Sequence, residues 1–461
     1  MSEEIEQRTL LDETMLADPD KWYRVYEELP EGERYGWIME TLDRTPSPDF
    51  FEQVSFAECI FELADRKEPA KYVALIRKLR DHPDFYKEEF QYFEHELAAY
   101  YLSLDEVEKA AESLRYYMEN PVQGIDQLIQ LVQLLVYYGK TDLAVECARQ
   151  TYEEIEASPE LIGGAGAPFA EIMFMWHFQQ AYTRLKNGQE ADWPTLQEEL
   201  ERYNFVTDGE VFARNCDRVS RPESEIRLSD YPIGSENSTG LFDSDNMWKF
   251  VKYMLDRKQL DFPQSEMIWS GAFEFLRQRK GRKRPDLAWE NWFAFTEREL
   301  EAWLAKMVGG FLSTQQAEAF ALLWGIPYVY DFLLDRGVIS EKLHMGAMRQ
   351  VARLKTKMRN AYKDELWKYA FVDRWPALDH VNRELMQPEV YEDDDLDLSY
   401  YEDDDDDLDF DDDDDEDDAR LFNPFFGAPL EEQRRTVSLK EKQKKKRARK
   451  EAKKKRKKNR K

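Results

Sequence analysis

A chain of 461 residues that is 42% hydrophobic and 14% aromatic, with 12 Trp and 27 Phe, has ample apolar material for packed cores. Its length suggests two or three domains. Its formal charge of −30 is concentrated near one end: residues 389–418 hold 21 Asp or Glu and no Lys or Arg, residues 434–461 are net +16, and residues 1–388 are left at −24. A body that acidic excludes nucleic-acid binding through its bulk charge.

The first residues, MSEEIEQRTLLDETMLADPD, are acidic and lack the apolar run of a secretory leader. No stretch of about 18 apolar residues stands out, so no membrane-spanning helix is expected. Cys59, Cys147 and Cys216 are far apart and form no CxxC or Cys/His cluster, which points to small buried residues rather than a disulfide framework or a zinc site. These features place the chain in a reducing, cytoplasmic compartment, or a nuclear or nucleolar one in a eukaryote.

Gly and Pro are sparse, at 19 each, and alternating strand patterns are nearly absent, so the expected fold class is all-α. In 86–102 the apolar residues Phe90, Phe93, Leu97, Tyr100 and Tyr101 share one helix face. In 105–118, Val107, Ala110, Ala111, Leu114, Tyr117 and Met118 do the same, and Leu128, Leu131, Val132, Leu135 and Val136 repeat the pattern. A shift of 34 residues pairs Leu97 with Leu131, Tyr101 with Leu135, Ala110 with Ala144, and Leu114 with Ala148. Small residues at Ala110 and Ala144 let two helices approach closely, and the larger ones fill the space between hairpins.

The stretch YYGKTDLAVECA, with Gly139 at a turn and Ala144 opening the next helix, and Pro121 closing the preceding unit, resembles the tetratricopeptide repeat family. An earlier unit would run through Ala57, Phe61, Ala70 and Ala74 to Pro83, and a later one through 168–203, broken at Asn187-Gly188. The flanking units are irregularly spaced and miss most of the family's Trp and Gly positions. The resemblance covers roughly 50–203 and implies helical hairpins stacked into a superhelix with a concave face for a peptide or protein. Tyr100, Tyr116, Tyr117, Tyr137 and Tyr138 are candidates to line that face, although core packing competes for each.

Together these readings divide the chain into a helical-repeat domain (1–203), a linker or loop (204–245), a Trp-rich helical domain (246–388), an acidic disordered segment (389–418), and a disordered linker with a basic tail (419–461). The linker reading rests on RVSRPESEIRLSDYPIGSENSTGLFDSDN, rich in Ser, Asp, Pro and Gly. Eight of the twelve Trp lie in 246–388, where Ser244 or Asp245 and Thr314 are plausible helix caps and Gly281, Gly309-Gly310, Gly325 and Gly337 mark breaks. From 389 onward the chain is too charged to form a core.

The basic tail carries the clearest partner signal. Lys444, Lys445, Lys446, Arg447, Arg449, Lys450, Lys453, Lys454, Lys455, Arg456, Lys457 and Lys458 are candidate nucleic-acid contacts through counterion release. The tail has no aromatic residue for base stacking. A solubilising role, or pairing with the chain's own acidic run across a linker of about 15 residues, is the competing reading. The acidic run could hold basic proteins, with Tyr391, Leu396, Leu398, Tyr400, Tyr401, Leu408 and Phe410 adding apolar contacts, or act as a solvated spacer; it lacks the spacing of an EF-hand loop.

Other motifs are weaker. Segment 317–337 loosely suggests a helix–turn–helix turning at Gly325, but its second helix would carry Asp331 and Asp335 toward DNA, and ordinary core helices fit better. Gly163-Gly164-Ala165-Gly166 before Pro168 could cradle an anion or simply connect helices. Glu94-His95-Glu96 spreads over different helix faces. No HExxH, GxxxxGK[ST], GxGxxG or GxSxG occurs, so no cofactor or metal is expected. The sequence therefore reads as a non-catalytic interaction or scaffold protein with a protein or peptide partner and charged tails. The alternatives are a nucleic-acid- or ribosome-associated factor acting through the tail, and an enzyme of unknown class in 246–388.

Overall fold

The computed structural model describes residues 11–362, apart from 45, 65–67, 204–207, 223–225, 227–243, 279–291 and 309–315. The acidic run and the basic tail, with all twelve candidate nucleic-acid contacts, lie outside the described residues, as do Gly281, Gly309-Gly310 and Thr314. All regular structure among the described residues is helical, with no strand.

The chain begins with α1 (Glu13–Leu16), α2 (Pro19–Glu28), α3 (Glu31–Asp43), α4 (Pro48–Gln53), α5 (Phe56–Ala64) and α6 (Pro69–Leu79). Asp12 and Asp18 cap the first two by accepting from the N–H groups of Met15 and Lys21. Proline opens α2, α4 and α6, where its missing N–H has no partner to lose. Trp22 is fully buried, stacks on Tyr26 at 5.5 Å, and donates its indole N–H to Thr41 Oγ1 at 3.0 Å, which fixes α2 against α3.

Two antiparallel helix pairs follow: α7 (Pro83–Ser103) with α8 (Val107–Glu119), and α9 (Ile125–Tyr137) with α10 (Thr141–Ala157). They repeat at the shift of 34 seen in the side-chain pattern. Helix α7 ends at Ser103 and α9 at Tyr137; α8 begins at Val107 and α10 at Thr141. Both turns pass through the left-handed region, at Asp105 (φ 64°) and Gly139 (φ 69°). Both close with the same backbone bond, Glu106 N to Tyr101 O at 2.9 Å and Lys140 N to Leu135 O at 2.7 Å. Leu97, Tyr101, Ala110, Leu114, Leu131, Leu135, Ala144 and Ala148 are all buried, and α7 packs on α9 as α8 packs on α10.

Gly139 is held to glycine on two counts. Its φ disfavours any side chain, and a β-carbon there would meet Gln264 Nε2 at 3.2 Å. Gly139→Ala should destabilise the protein by about 1–2 kcal/mol, read as a lower urea midpoint with an unchanged slope. A midpoint equal to wild type would show that the turn relaxes freely.

Helix α11 (Ala167–Lys186) packs on α10, and α12 (Trp193–Arg202) returns across it. Residues 209–220, inside the segment read as a loop, form α13 (Gly209–Ser220), capped by Asp208 accepting from Glu210 N at 2.8 Å. The loop reading of that stretch is corrected: Phe212, Cys216 and Val219 give it a buried face against α11 that the surrounding polar composition hides. Buried Asn215 accepts from Trp248 Nε1 at 3.1 Å.

The remaining helices are α14 (Ser244–Tyr253), running into a π-helical turn (Met254–Lys258), α15 (Phe262–Gln278), α16 (Glu297–Val308), α17 (Gln316–Asp335) and α18 (Glu341–Tyr362). Helix α15 packs on α9 and α11, and α17 packs on α9, α14, α15, α16 and α18. Helices on either side of residues 204–245 thus contribute to one continuous hydrophobic cluster.

Helix α17 is unbroken through Gly325 and Pro327, so neither the break at Gly325 nor a helix–turn–helix forms there. Pro327 removes one backbone bond to Leu323, but apolar side chains from five helices enclose α17 and hold it. Residues 317–335 are long and apolar enough to cross a bilayer, contrary to the expectation from sequence, and 89% of that window is buried inside the protein. Gly325 lets α15 approach: a β-carbon would lie 2.4 Å from Ile268 Cγ2 and 3.0 Å from Ile268 Cβ, too deep for a rotamer change to relieve. Gly325→Ala should cost about 1–3 kcal/mol by overpacking, and Ile268→Ala in the same chain should recover part of the lost thermal midpoint.

Candidate functional site

The two hairpin turns meet the π turn at a polar cleft of about 570 Å³. Its walls come from three directions. Asp105 lies in the α7–α8 turn, and Tyr137, Tyr138 and Gly139 end α9. Gln179 projects from α11, while Leu255, Gln259, Leu260, Asp261 and Gln264 span the π turn and the start of α15. Gln259, in the left-handed region at φ 58°, stops the π turn.

Internal hydrogen bonds hold these walls. Gln264 Nε2 donates to Tyr137 O at 3.1 Å, tying α15 to the end of α9. Phe262 N donates to Gln179 Oε1 at 2.6 Å, tying α15 to α11. Asp261 Oδ1 accepts from Gln264 N at 2.8 Å, and its other oxygen accepts from the Thr141 hydroxyl. Lys140 pairs with Asp105 at 2.8 Å across the two turns. Tyr137 and Tyr138 stand nearly perpendicular, 5.6 Å apart.

Asp261 is the electrostatic centre of the cleft. Burial pushes its carboxyl up to about 6, and the negative Asp142 adds to the rise against the Thr141 and Gln264 bonds. Among the described residues no cation pairs with it; its partners are neutral donors. The cleft is therefore rich in acceptors and net acidic, fitted to a positively charged group and unsuited to phosphate.

Other groups singled out in the sequence take structural places. The carboxylate of Glu156 accepts from Gly166 N at 2.9 Å, so the chain's own acid fills the anion position ahead of α11. Cys59, Cys147 and Cys216 are buried, and burial pushes the thiols of Cys147 and Cys216 up to about 12, far from reactive thiolates. Asp331 accepts from Lys258 Nζ at 3.1 Å and pairs with His344 Nε2 at 2.9 Å, pinning the π turn to α17 and α18. Of the five candidate lining tyrosines, Tyr137 and Tyr138 border the cleft, Tyr117 is fully buried, and Tyr116 lies under the Arg80 guanidinium at 5.4 Å.

Among the described residues no group of three or more His, Cys, Asp or Glu is arranged to hold a metal ion. Asp105, Gln179, Gln259, Asp261 and Gln264 carried no signal in the sequence, because five positions spread over 160 residues converge only in the fold. Comparison with protein-family models, curated proteins and solved structures finds no match to this chain.

Proposed function

We propose that this protein is a non-catalytic interaction protein whose stacked helix pairs, in a tetratricopeptide-like array, present a surface and a polar cleft to a protein or peptide partner. The observation that carries this reading is the congruence of two hairpins at a shift of 34 residues, with their turns opening onto the cleft. An array of this kind has a continuous edge that can follow an extended partner. The charged terminal segments would hold the complex near basic proteins or RNA. The test is to crosslink the full chain to the proteins it captures and map the joined peptides. Crosslinks within 83–203 and around the cleft support the reading; crosslinks confined to residues 389–461 overturn it.

A second reading is favoured by one observation, the 18 Lys and Arg in residues 434–461. It makes the protein a nucleic-acid- or ribosome-associated factor that binds phosphate backbones without sequence preference. Binding of a generic RNA would be compared for the full chain and a chain ending near Pro388 over a salt series. A steep salt dependence that disappears with the tail supports it, and equal binding by the two chains excludes the tail as the contact.

A further inference from the structure

We infer that the cleft bounded by Asp105, Tyr138, Gln179, Gln259, Asp261 and Gln264 receives a lysine-type ammonium group carried by a basic peptide segment. This rests on the interaction-protein reading and names the chemistry of its site.

Buried carboxylates in folded proteins are ordinarily paired with a cation, because the desolvation they suffer is otherwise uncompensated. Asp261 is largely enclosed, has only neutral donors among the described residues, and feels the negative charge of Asp142. It also sits in the wall of an open cavity large enough to admit a side chain. A cation arriving from outside would supply the missing partner. Lys140 does not, since it is committed to Asp105.

The geometry of the acceptors selects among cations. Each Asp261 oxygen already accepts one hydrogen bond, from Gln264 N and from Thr141. That leaves one lone pair on each oxygen for an incoming donor. An ammonium carries three independently directed donors on a compact charge, which suits acceptors scattered over Asp261 and the side-chain amides of Gln179 and Gln259. Leu255 and Leu260 supply apolar wall for the methylene stem.

Two sources offer such a group: the chain's own tail, where Lys453–Lys458 is KKKRKK, or a separate basic protein. The experiment uses the full chain and a fluorescent peptide of residues 453–458, with anisotropy read at about 0.15 M salt. Asp261→Asn and Gln259→Lys should each weaken binding by about tenfold or more. The first removes the charge while keeping the acceptor oxygen. The second puts an ammonium into the cleft from an exposed position and so does not depend on a core change. Binding should strengthen as pH rises through about 6, where Asp261 loses its proton. A peptide with every lysine acetylated should not bind.

A full chain with Lys444–Lys458 changed to Gln settles the source. Tighter peptide binding than wild type means the tail occupies the cleft in cis; unchanged binding means the ligand comes from another protein. Both results require Asp261→Asn to bind more weakly. If Asp261→Asn binds the peptide as tightly as wild type, the inference is wrong and residues 389–418 are what hold basic peptides. The interaction-protein reading fails separately, if crosslinked partners map only to the terminal segments.

Discussion

At pH 8 the Glu266→Gln variant should unfold at a clearly higher temperature than wild type, and at pH 5 most of that difference should be gone. Glu266 lies in α15 and Glu318 in α17, in the seam where both helices meet α9. The Ser270 hydroxyl donates to Glu266, and Gln133 Nε2 donates to Glu318 at 2.6 Å. Burial pushes each carboxyl up to about 7, and the field of Glu318 adds to the rise at Glu266. In the unfolded chain both titrate near the ordinary glutamate value of 4.5. Between those values the folded state holds protons that the unfolded state has released, so stability falls as pH rises through that window and the loss is complete above about 7. A glutamine keeps the accepting oxygen and never ionises. It should recover roughly 2–3 kcal/mol per site above pH 7 and less than about 1 kcal/mol at pH 5. Glu318 is less enclosed than Glu266 and should give the smaller gain. Because the two charges oppose each other, the double variant should gain less than the sum. The same gain at both pH values would mean that the benefit is packing and not the removal of a buried charge.

The hairpins of α7 to α10 were legible because their stabilising contacts are periodic. Leu97, Ala110, Leu131 and Ala144 recur at one spacing on helix faces, and a left-handed glycine at 139 marks a turn that composition alone can detect. Asp105 occupies the equivalent place 34 residues earlier without a glycine, tolerated because Asp adopts that backbone more readily than other side chains. The rest was hidden for identifiable reasons. Helix α13 is short, and its face of Phe212, Cys216 and Val219 runs straight into a Ser/Asp/Pro-rich stretch from 218 onward whose local preference is for turns. Gly325 and Pro327 signal a break, yet burial on all sides outweighs one lost backbone bond. The cleft is a tertiary object: Asp261 is unremarkable in DFPQSE until Thr141, Gln264 and Gln179 close around it. A buried carboxylate such as Glu94 looks like a solvent-facing acid in any helical pattern, since nothing local announces the partner that compensates it.

That partner can be tested at Glu94, where the largest loss is expected. Glu94 on α7 has no solvent exposure, while the Arg80 side chain, closing α6, keeps 30%. Arg80 places Nη2 at 2.7 Å and Nε at 3.2 Å from Glu94 Oε1, and the Tyr86 hydroxyl donates to the same oxygen. The guanidinium also lies over the Tyr116 ring of α8 at 5.4 Å, so three helices are joined through one charged group. Burial alone would pull the Arg80 guanidinium down, but the Glu94 charge overrides it and holds it above its ordinary value. The same burial, with Glu94 beside it, pushes the Tyr86 phenol well up, so it remains a donor at any physiological pH. Arg80→Met retains most of the apolar stem and removes the charge, leaving a fully buried carboxylate without its cation. The expected cost is about 3–5 kcal/mol in urea unfolding. Arg80→Lys should fall in between, because a single ammonium cannot reproduce two nitrogens on one oxygen. Arg80→Met with Glu94→Gln should be markedly more stable than Arg80→Met alone, since a neutral amide needs no counter-charge. If the single and double variants lose the same amount, the stabilisation comes from guanidinium packing on Tyr116, and the buried charge of Glu94 is compensated by something other than Arg80.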